Sequence, residues 1–429
     1  MITKDNDNLV LADSITSVDE LNAVFYGRFP YPWQSFKFDY LEDPYFETAM
    51  LNQDIGAWKH DRVPREPQIW IAGCGTNQAV LTALRFPKAR VVGSDVSSKS
   101  LEICSETAKQ LGITNLELKE ESINQAPYRE EFDYIISTGV IHHNAYPQAT
   151  LGKIAAALKP DGVLELMVYN RFHWTVPAAF QKAIRLLGGN GGNGSNGNGV
   201  NFDSELLLAK AIIGELPQET FIGIVSDYRE ASEAMLADEL LQPVLHSYTV
   251  ESLVEMAGSC DLAIIVPCLN QFDKAEQKYS WNVDFQNPVL KEAYESLPDV
   301  KRWQVTNLLL RERSPQLWFY FQRTDSSYTR KSEKEVTEEF LNTTFVRSST
   351  TQHSFIRKSD QSYRLLPKPM SFPVKPADNL VKRIVDAVDG RGRMKEIFRD
   401  LGPAMTMAPT RARLMLASSA FPYLTAVSQ

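Results

Sequence analysis

The sequence predicts a doubly wound α/β fold built on a Rossmann-like sheet, and three observations carry that expectation. Between residues 68 and 170 short β-branched apolar runs alternate with longer amphipathic ones. The first run, QIWIA, leads straight into Gly73-Cys74-Gly75, and an acidic residue, Asp95, closes the second run 22 positions after Gly73. Such alternation builds a parallel sheet with helices on both faces. Ligands of such sheets sit beyond the carboxyl ends of the strands.

In order, QIWIA is the first strand and QAVLTALRF the helix that follows it. ARVVGSDVS is the second strand, and SLEICSETAKQLG a helix with Leu101, Cys104, Ala108 and Leu111 along one side and Gly112 as its stop. LELKEES and FDYIISTGV continue as strands, YPQATLGKIAAALKP as a helix, and VLELMVYN as the fifth strand. Residues 188–199, GGNGGNGSNGNG, have nothing to bury and are expected as a surface loop. Helical patterns follow over 205–213 and 229–241, then Thr249 as the cap of VESLVEMAGSC, then the strands LAIIVPCLN and QLWFYFQR. One domain is therefore expected over 68–330, with insertions at about 171–245 and 271–314 forming a cap. It is preceded by a helical and aromatic lid over 1–67. A small α+β module over 335–429 contains a hairpin, TTFVRSS/HSFIRK, and the proline-rich PKPMSFPVKP. Two helices follow, lined by Leu380, Ile384, Val388 and by Met394, Ile397, Leu401, with a third from Arg411.

Composition narrows the class. The 43% apolar content supplies a real core, and the polar, acidic start MITKDNDNLVLADS is unlike a signal peptide. A soluble, cytoplasmic chain is expected. Cys74, Cys104, Cys260 and Cys268 lack metal-site spacing, so free thiols and no metal are expected. The net charge of −8 is unevenly spread. Residues 331–429 hold 16 Lys and Arg against 10 Asp and Glu, and residues 1–330 hold 29 against 43. A basic module on an acidic body reads either as solvated helix faces or as a docking surface for an acidic partner. Nucleic acid is the weaker partner, because basic and aromatic residues do not cluster together.

Gly73 and Gly75 allow a tight turn and close backbone approach, and a carboxylate at Asp95 is placed to accept from both ribose hydroxyls. The sixth position of the loop is Gln78 where a dinucleotide fold has its third glycine. Continuing to STGVIHH at 137–143 and LKPDG at 158–162, the ordered motifs resemble class I S-adenosylmethionine-dependent methyltransferases over residues 68–170. The resemblance implies a seven-stranded sheet and S-adenosylmethionine as cofactor. It implies contacts from Gly73, Cys74, Gly75, Asn77 and Gln78 in the first loop, Asp95 and Val96 in the second, and Thr138 and Gly139 after the fourth strand. Two departures stand out. Ile71 replaces the acid before the first glycine, and Ser122 falls where an adenine-binding carboxylate is expected; Glu120 or Glu121 would have to reach instead. The segment FYGRFPYPWQ at 25–34 resembles a leader found in a subgroup of the family, and Tyr26 and Tyr31 are expected to cover the cofactor, with Trp33 displayed beside them. The alternative is an aromatic clasp packed on the sheet edge.

His142 or His143 is expected to face the acceptor as base or orienter, with Tyr169 and Asn170 as further contacts. The primary expectation is methyl transfer to a protein side-chain nitrogen, in its finest form an asparagine of a phycobiliprotein β-subunit, whose acidity suits the basic module. The absence of NPPY, the motif by which glutamine methyltransferases hold an amide, stands against that form. NLVKRIVDAVDGRGRMKEI is also similar to winged-helix modules that hold peptides beside modifying enzymes. The alternative is a small-molecule N- or O-methyltransferase of secondary metabolism, with the insertions closing an apolar pocket.

Overall fold

A computed structural model of the 429-residue chain describes residues 18–32, 34–188, 201–217 and 228–427. Trp33, and all but Gly188 of the glycine–asparagine run, lie outside the described residues. Strands β2 (Gln68–Ala72), β3 (Arg90–Asp95), β4 (Leu116–Glu120), β5 (Phe132–Thr138), β6 (Leu158–Val168), β7 (Leu262–Pro267) and β8 (Leu317–Arg323) form one sheet in the order β4-β3-β2-β5-β6-β8-β7. Strands β4 to β6 are parallel to their neighbours, and β8 runs antiparallel between β6 and β7. The winding direction reverses between β2 and β5, which places the ligand crevice at their carboxyl ends.

Period-two alternation divides the core. Ile69, Ile71, Val91 and Tyr134 face the layer that holds Leu101 and Cys104. Trp70, Ala72, Ile135 and Leu164 face the opposite layer. Helices α3 (Gln78–Arg85) and α4 (Ser98–Gln110) cover the first face, and α5 (Pro147–Ala157) and α9 (Val250–Gly258) cover the second. Local chemistry starts these helices where the sequence signals them. Ser97 Oγ accepts from Ser100 N at the start of α4, and Thr249 and Ser252 form a capping box on α9.

The first insertion contributes α6 (Thr175–Leu187), α7 (Phe202–Glu215) and α8 (Glu233–Leu240). Their apolar faces enclose Phe25 of α1, residues 18–28, and Phe29 just after it in a separate cluster. Lid and first insertion are thus one roof. The second insertion, α10 (Gln271–Ala275), α11 (Pro288–Glu295) and α12 (Asp299–Leu310), differs from its expected role. Trp281 and Trp303 lie against Phe319 of β8, with ring centroids 5.2 and 5.7 Å away. Burying two indoles holds this insertion on a sheet face instead of over the strand ends.

The C-terminal module also departs from the expected division. Strand β1 (Lys37–Leu41) pairs with β10 (Thr350–Arg357), and β9 (Phe345–Arg347) pairs with β15 (Leu424–Ala426). The expected 343–358 hairpin is therefore opened, each strand taking a partner distant in sequence. In α2 (Phe46–Asp54), Gln53 Nε2 donates to the carbonyls of Ala417 and Leu424 at 3.1 and 3.0 Å. Trp58 packs with Phe340, Phe345 and Ile384. Residues 37–58 thus belong with the C-terminal module, because these buried contacts tie them there. Its helices α13 (Glu333–Asn342), α14 (Asn379–Ala387), α15 (Met394–Leu401) and α16 (Pro409–Leu416) include the three expected from the sequence.

Candidate active site

The loop after β2 is set by backbone geometry. Gly73 and Gly75 have φ of +83° and +52°, and Gly139, after β5, has +77°. These values suit glycine. The amides of Gly73 and Cys74 both donate to Ser94 O at 2.9 Å, which fixes the turn against β3. Asp95 ties the two loops together: its Oδ2 accepts from Gly75 N at 2.8 Å and its Oδ1 from Ser97 N at 2.9 Å. Burial raises the Asp95 pKa against the lowering effect of these amides and that of Val96. Asn77 and Cys74 are buried, Gln78 is half-buried, and Thr82 Oγ1 donates to Gln78 O at the start of α3.

The N-terminal segment lies directly on this loop. Thr76 Oγ1 donates to Pro32 O at 2.5 Å, and a Cβ added at Gly75 would stand 2.7 Å from Tyr31 O. Tyr31 and Pro32 therefore lie against the turn at Gly75 and Thr76. Beyond β4, Ser122 is buried and its hydroxyl donates to Asp19 Oδ2, while Asn124 Nδ2 donates to Asp19 Oδ1 at 3.2 Å. A carboxylate from α1 thus lies at the position after β4 where the sequence has Ser122. Glu121 is engaged elsewhere, accepting from Tyr128 Oη at 3.0 Å. No local spacing signals Asp19, which lies 103 positions from its partner.

His142 and His143 follow β5 in a single 3-10 turn, Ile141–His143. His142 has 0% exposure, and neither ring nitrogen has a hydrogen-bond partner. His143 Nδ1 meets Val244 O at 2.8 Å, leaving Nε2 unpaired. Burial lowers both pKa values, His143 to about 4, so both imidazoles are neutral at pH 7. The His142 ring lies 3.7 Å from that of Tyr169, and Tyr169 stacks on Trp174 at 3.5 Å and 12°.

Asn170 does not join this group. It is fully buried, its Nδ2 donating to Ser314 Oγ at 2.9 Å and Pro315 O at 3.2 Å while its Oδ1 accepts from Asn307 Nδ2. An amide committed on both sides positions the end of β6; it is not a free acceptor contact.

Sequence reasoning missed a second polar group under the roof. Gln242 Nε2 donates to Asp238 Oδ1 at 3.0 Å and to Tyr169 Oη at 3.2 Å, with Tyr26 Oη at 3.5 Å. Burial pushes the Asp238 carboxyl up to about 7, and its charge is the largest cause of the raised Tyr31 pKa. Gln242 Oε1 is buried without a partner. The available signal was the pair Asp238 and Gln242, four residues apart and so on one helix face of MLADELLQ.

Two loops joined by Asp95, a glycine turn too close for a side chain, and orphaned buried imidazoles fit a nucleoside carrying a reactive group between β2, β5 and β6. Among the described residues no cluster of His, Cys, Asp or Glu is arranged to hold a metal, and no helix is long and apolar enough to cross a membrane.

Residues 72–185 match the family described as Methyltransferase domain. An uncharacterized protein of Synechococcus sp. is 24% identical over 307 residues, 68% of this chain and 69% of that one. A ubiquinone biosynthesis O-methyltransferase of Bradyrhizobium sp. is 30% identical over 99 residues, 23% of this chain and 38% of that protein. Among solved structures, PKMT2 from Rickettsia typhi in complex with AdoHcy shares the fold with a TM-score of 0.56. It is 16% identical, and the match covers 93% of this chain and 78% of that one.

Proposed function

We propose that the methyl acceptor of this S-adenosylmethionine-dependent methyltransferase is a nitrogen of a protein side chain. The observation that carries the reading is the buried acceptor set beneath the roof, Asp238 and the unpaired Gln242 Oε1, beside the carboxyl ends of β5 and β6. Such a set recognises N–H donors, because buried acceptors are costly until paired.

When bound, the cofactor supplies a methyl group on a cationic sulfur. Asp95 would hold its ribose, the 73–78 loop and Tyr31 its amino-acid end, and Asp19 with Ser122 its base. Tyr169 and Trp174 wall the acceptor side, and α1 with the first insertion excludes water. Catalysis then rests on alignment, with His142 and His143 as neutral acceptors and orienters. The basic C-terminal module supports a protein partner, and an acidic target such as a phycobiliprotein suits its charge.

The asparagine of a phycobiliprotein β-subunit is the neutral form of this acceptor class. The test incubates the full chain with methyl-labelled cofactor and either purified phycobiliprotein or a heat-inactivated protein extract, followed by peptide mass spectrometry. A methyl gain on a side-chain nitrogen is expected. Label found only on small molecules sinks the reading in favour of a small-molecule enzyme. The full chain is required, since removing 335–429 would strip β1 of its partner strand.

A further inference from the structure

We infer that Asp238, which shares the Gln242 amide with the hydroxyls of Tyr26 and Tyr169, is the receptor for a protonated primary amine, so that the acceptor is a lysine side chain. The inference rests on the proposed protein N-methylation and narrows it.

Four observations converge. Asp238 is only 6% exposed, and the influences on it are burial, the Gln242 amide and the neighbouring Glu239, with no lysine or arginine among them. A buried carboxylate without a cation is expensive, and a ligand that brings one removes the cost. Tyr26 and Tyr31 come from the N-terminal segment and Tyr169 from the end of β6, and each senses the Asp238 charge. A buried carboxylate beside phenol oxygens suits an ammonium, whose N–H groups can be shared between them. Gln242, 0% exposed, spends its Nε2 on Asp238 and the tyrosines and leaves Oε1 as a second acceptor. An ammonium offers three donors and needs only acceptors, and Asp238 with Gln242 Oε1 supplies acceptors, one of them charged.

The chemistry closes without a further reagent. The ionised Asp238 carboxylate takes one proton from the ammonium, leaving a neutral amine with its lone pair. That pair forms the new N–C bond as the C–S bond breaks, and the C–S electrons pass to sulfur, which becomes neutral. The methylated nitrogen carries the positive charge away, and Asp238 releases its proton to solvent.

Labelling is run on heat-inactivated protein extract, untreated and with its amines acetylated. Acetylation is expected to abolish the label, and mass spectrometry to find it on lysine Nζ. Label that survives acetylation, on asparagine of a phycobiliprotein or on histidine, overturns the inference and leaves protein N-methylation standing. No labelled protein in either sample removes both. A binding readout separates acceptor from cofactor. Calorimetry of the S-adenosylhomocysteine complex with the unmethylated form of the modified peptide is expected to weaken at least roughly tenfold in Asp238→Asn. S-adenosylhomocysteine affinity is expected to stay within about threefold in that variant. Collapse of S-adenosylhomocysteine binding, or unchanged peptide binding, overturns the assignment.

Discussion

The Gly75 amide donates to Asp95 Oδ2 at 2.8 Å, so the loop after β2 and the carboxylate closing β3 act as one unit. Asp95→Ala should therefore weaken S-adenosylhomocysteine binding by roughly 1–3 kcal/mol, through lost ribose bonds and a loosened loop. Asp95→Asn keeps an oxygen for one of the amides and should lose less. Calorimetry on both variants checks this, and an unchanged dissociation constant in the alanine variant would place the ribose elsewhere.

Asp19 gives a sharper test of the base-binding end. On the proposed placement, with the ribose held at the end of β3, the base would extend toward β4, where Asp19 meets Ser122 and Asn124. A carboxylate there favours an exocyclic amine over a carbonyl oxygen. Asp19→Ala should weaken S-adenosylhomocysteine roughly 5- to 30-fold and leave S-inosylhomocysteine, whose base carries oxygen at that position, nearly unchanged. Equal losses for both ligands would show that Asp19 only holds α1 in place.

How legible the site was depends on how its parts are encoded. Gly73, Gly75, Asp95 and His142 sit at strand ends within a regular alternation, so period and spacing expose them. Asp19 and Asp238 belong to helices of the roof, where each stands beside a glutamate, and such an acidic pair in an amphipathic stretch looks like solvated surface until tertiary packing buries one member. Strand partners were similarly hidden. Nothing in HSFIRK says that β10 pairs with β1, more than 300 residues earlier, in preference to its neighbour β9. The roles of the two insertions also escaped the sequence, since Trp281 and Trp303 would suit a lid or a core equally well.

Gly75 and Gly139 both have positive φ but differ in their surroundings. A Cβ at Gly75 meets Tyr31 O at 2.7 Å, a backbone atom that yields only if the N-terminal segment moves, whereas a Cβ at Gly139 meets nothing within 4 Å. Gly139→Ala should lose about 1–2 kcal/mol of stability from backbone strain alone. Gly75→Ala should add a loss of cofactor affinity out of proportion to its fall in melting temperature. Thermal melts beside S-adenosylhomocysteine titrations separate the two effects, and equal behaviour would mean that Tyr31 does not brace the loop.

The buried histidines give the stability a pH dependence whose sign follows from the direction of their shifts. His143 titrates near 4 when folded against 6.5 in its ordinary state, and burial moves His142 the same way. Below 6.5 the unfolded chain takes up protons that the folded one refuses, so stability is present above that pH and is lost as pH falls toward 4. His143 alone should remove about 2 kcal/mol between pH 7.5 and 5. Buried acids such as Asp238, pushed up to about 7, act in the opposite sense, so the check is the difference between wild type and His143→Gln, which cannot take up the proton: denaturant melts at the two pH values should differ between them by this amount. An identical slope in the variant would place the proton uptake on other groups.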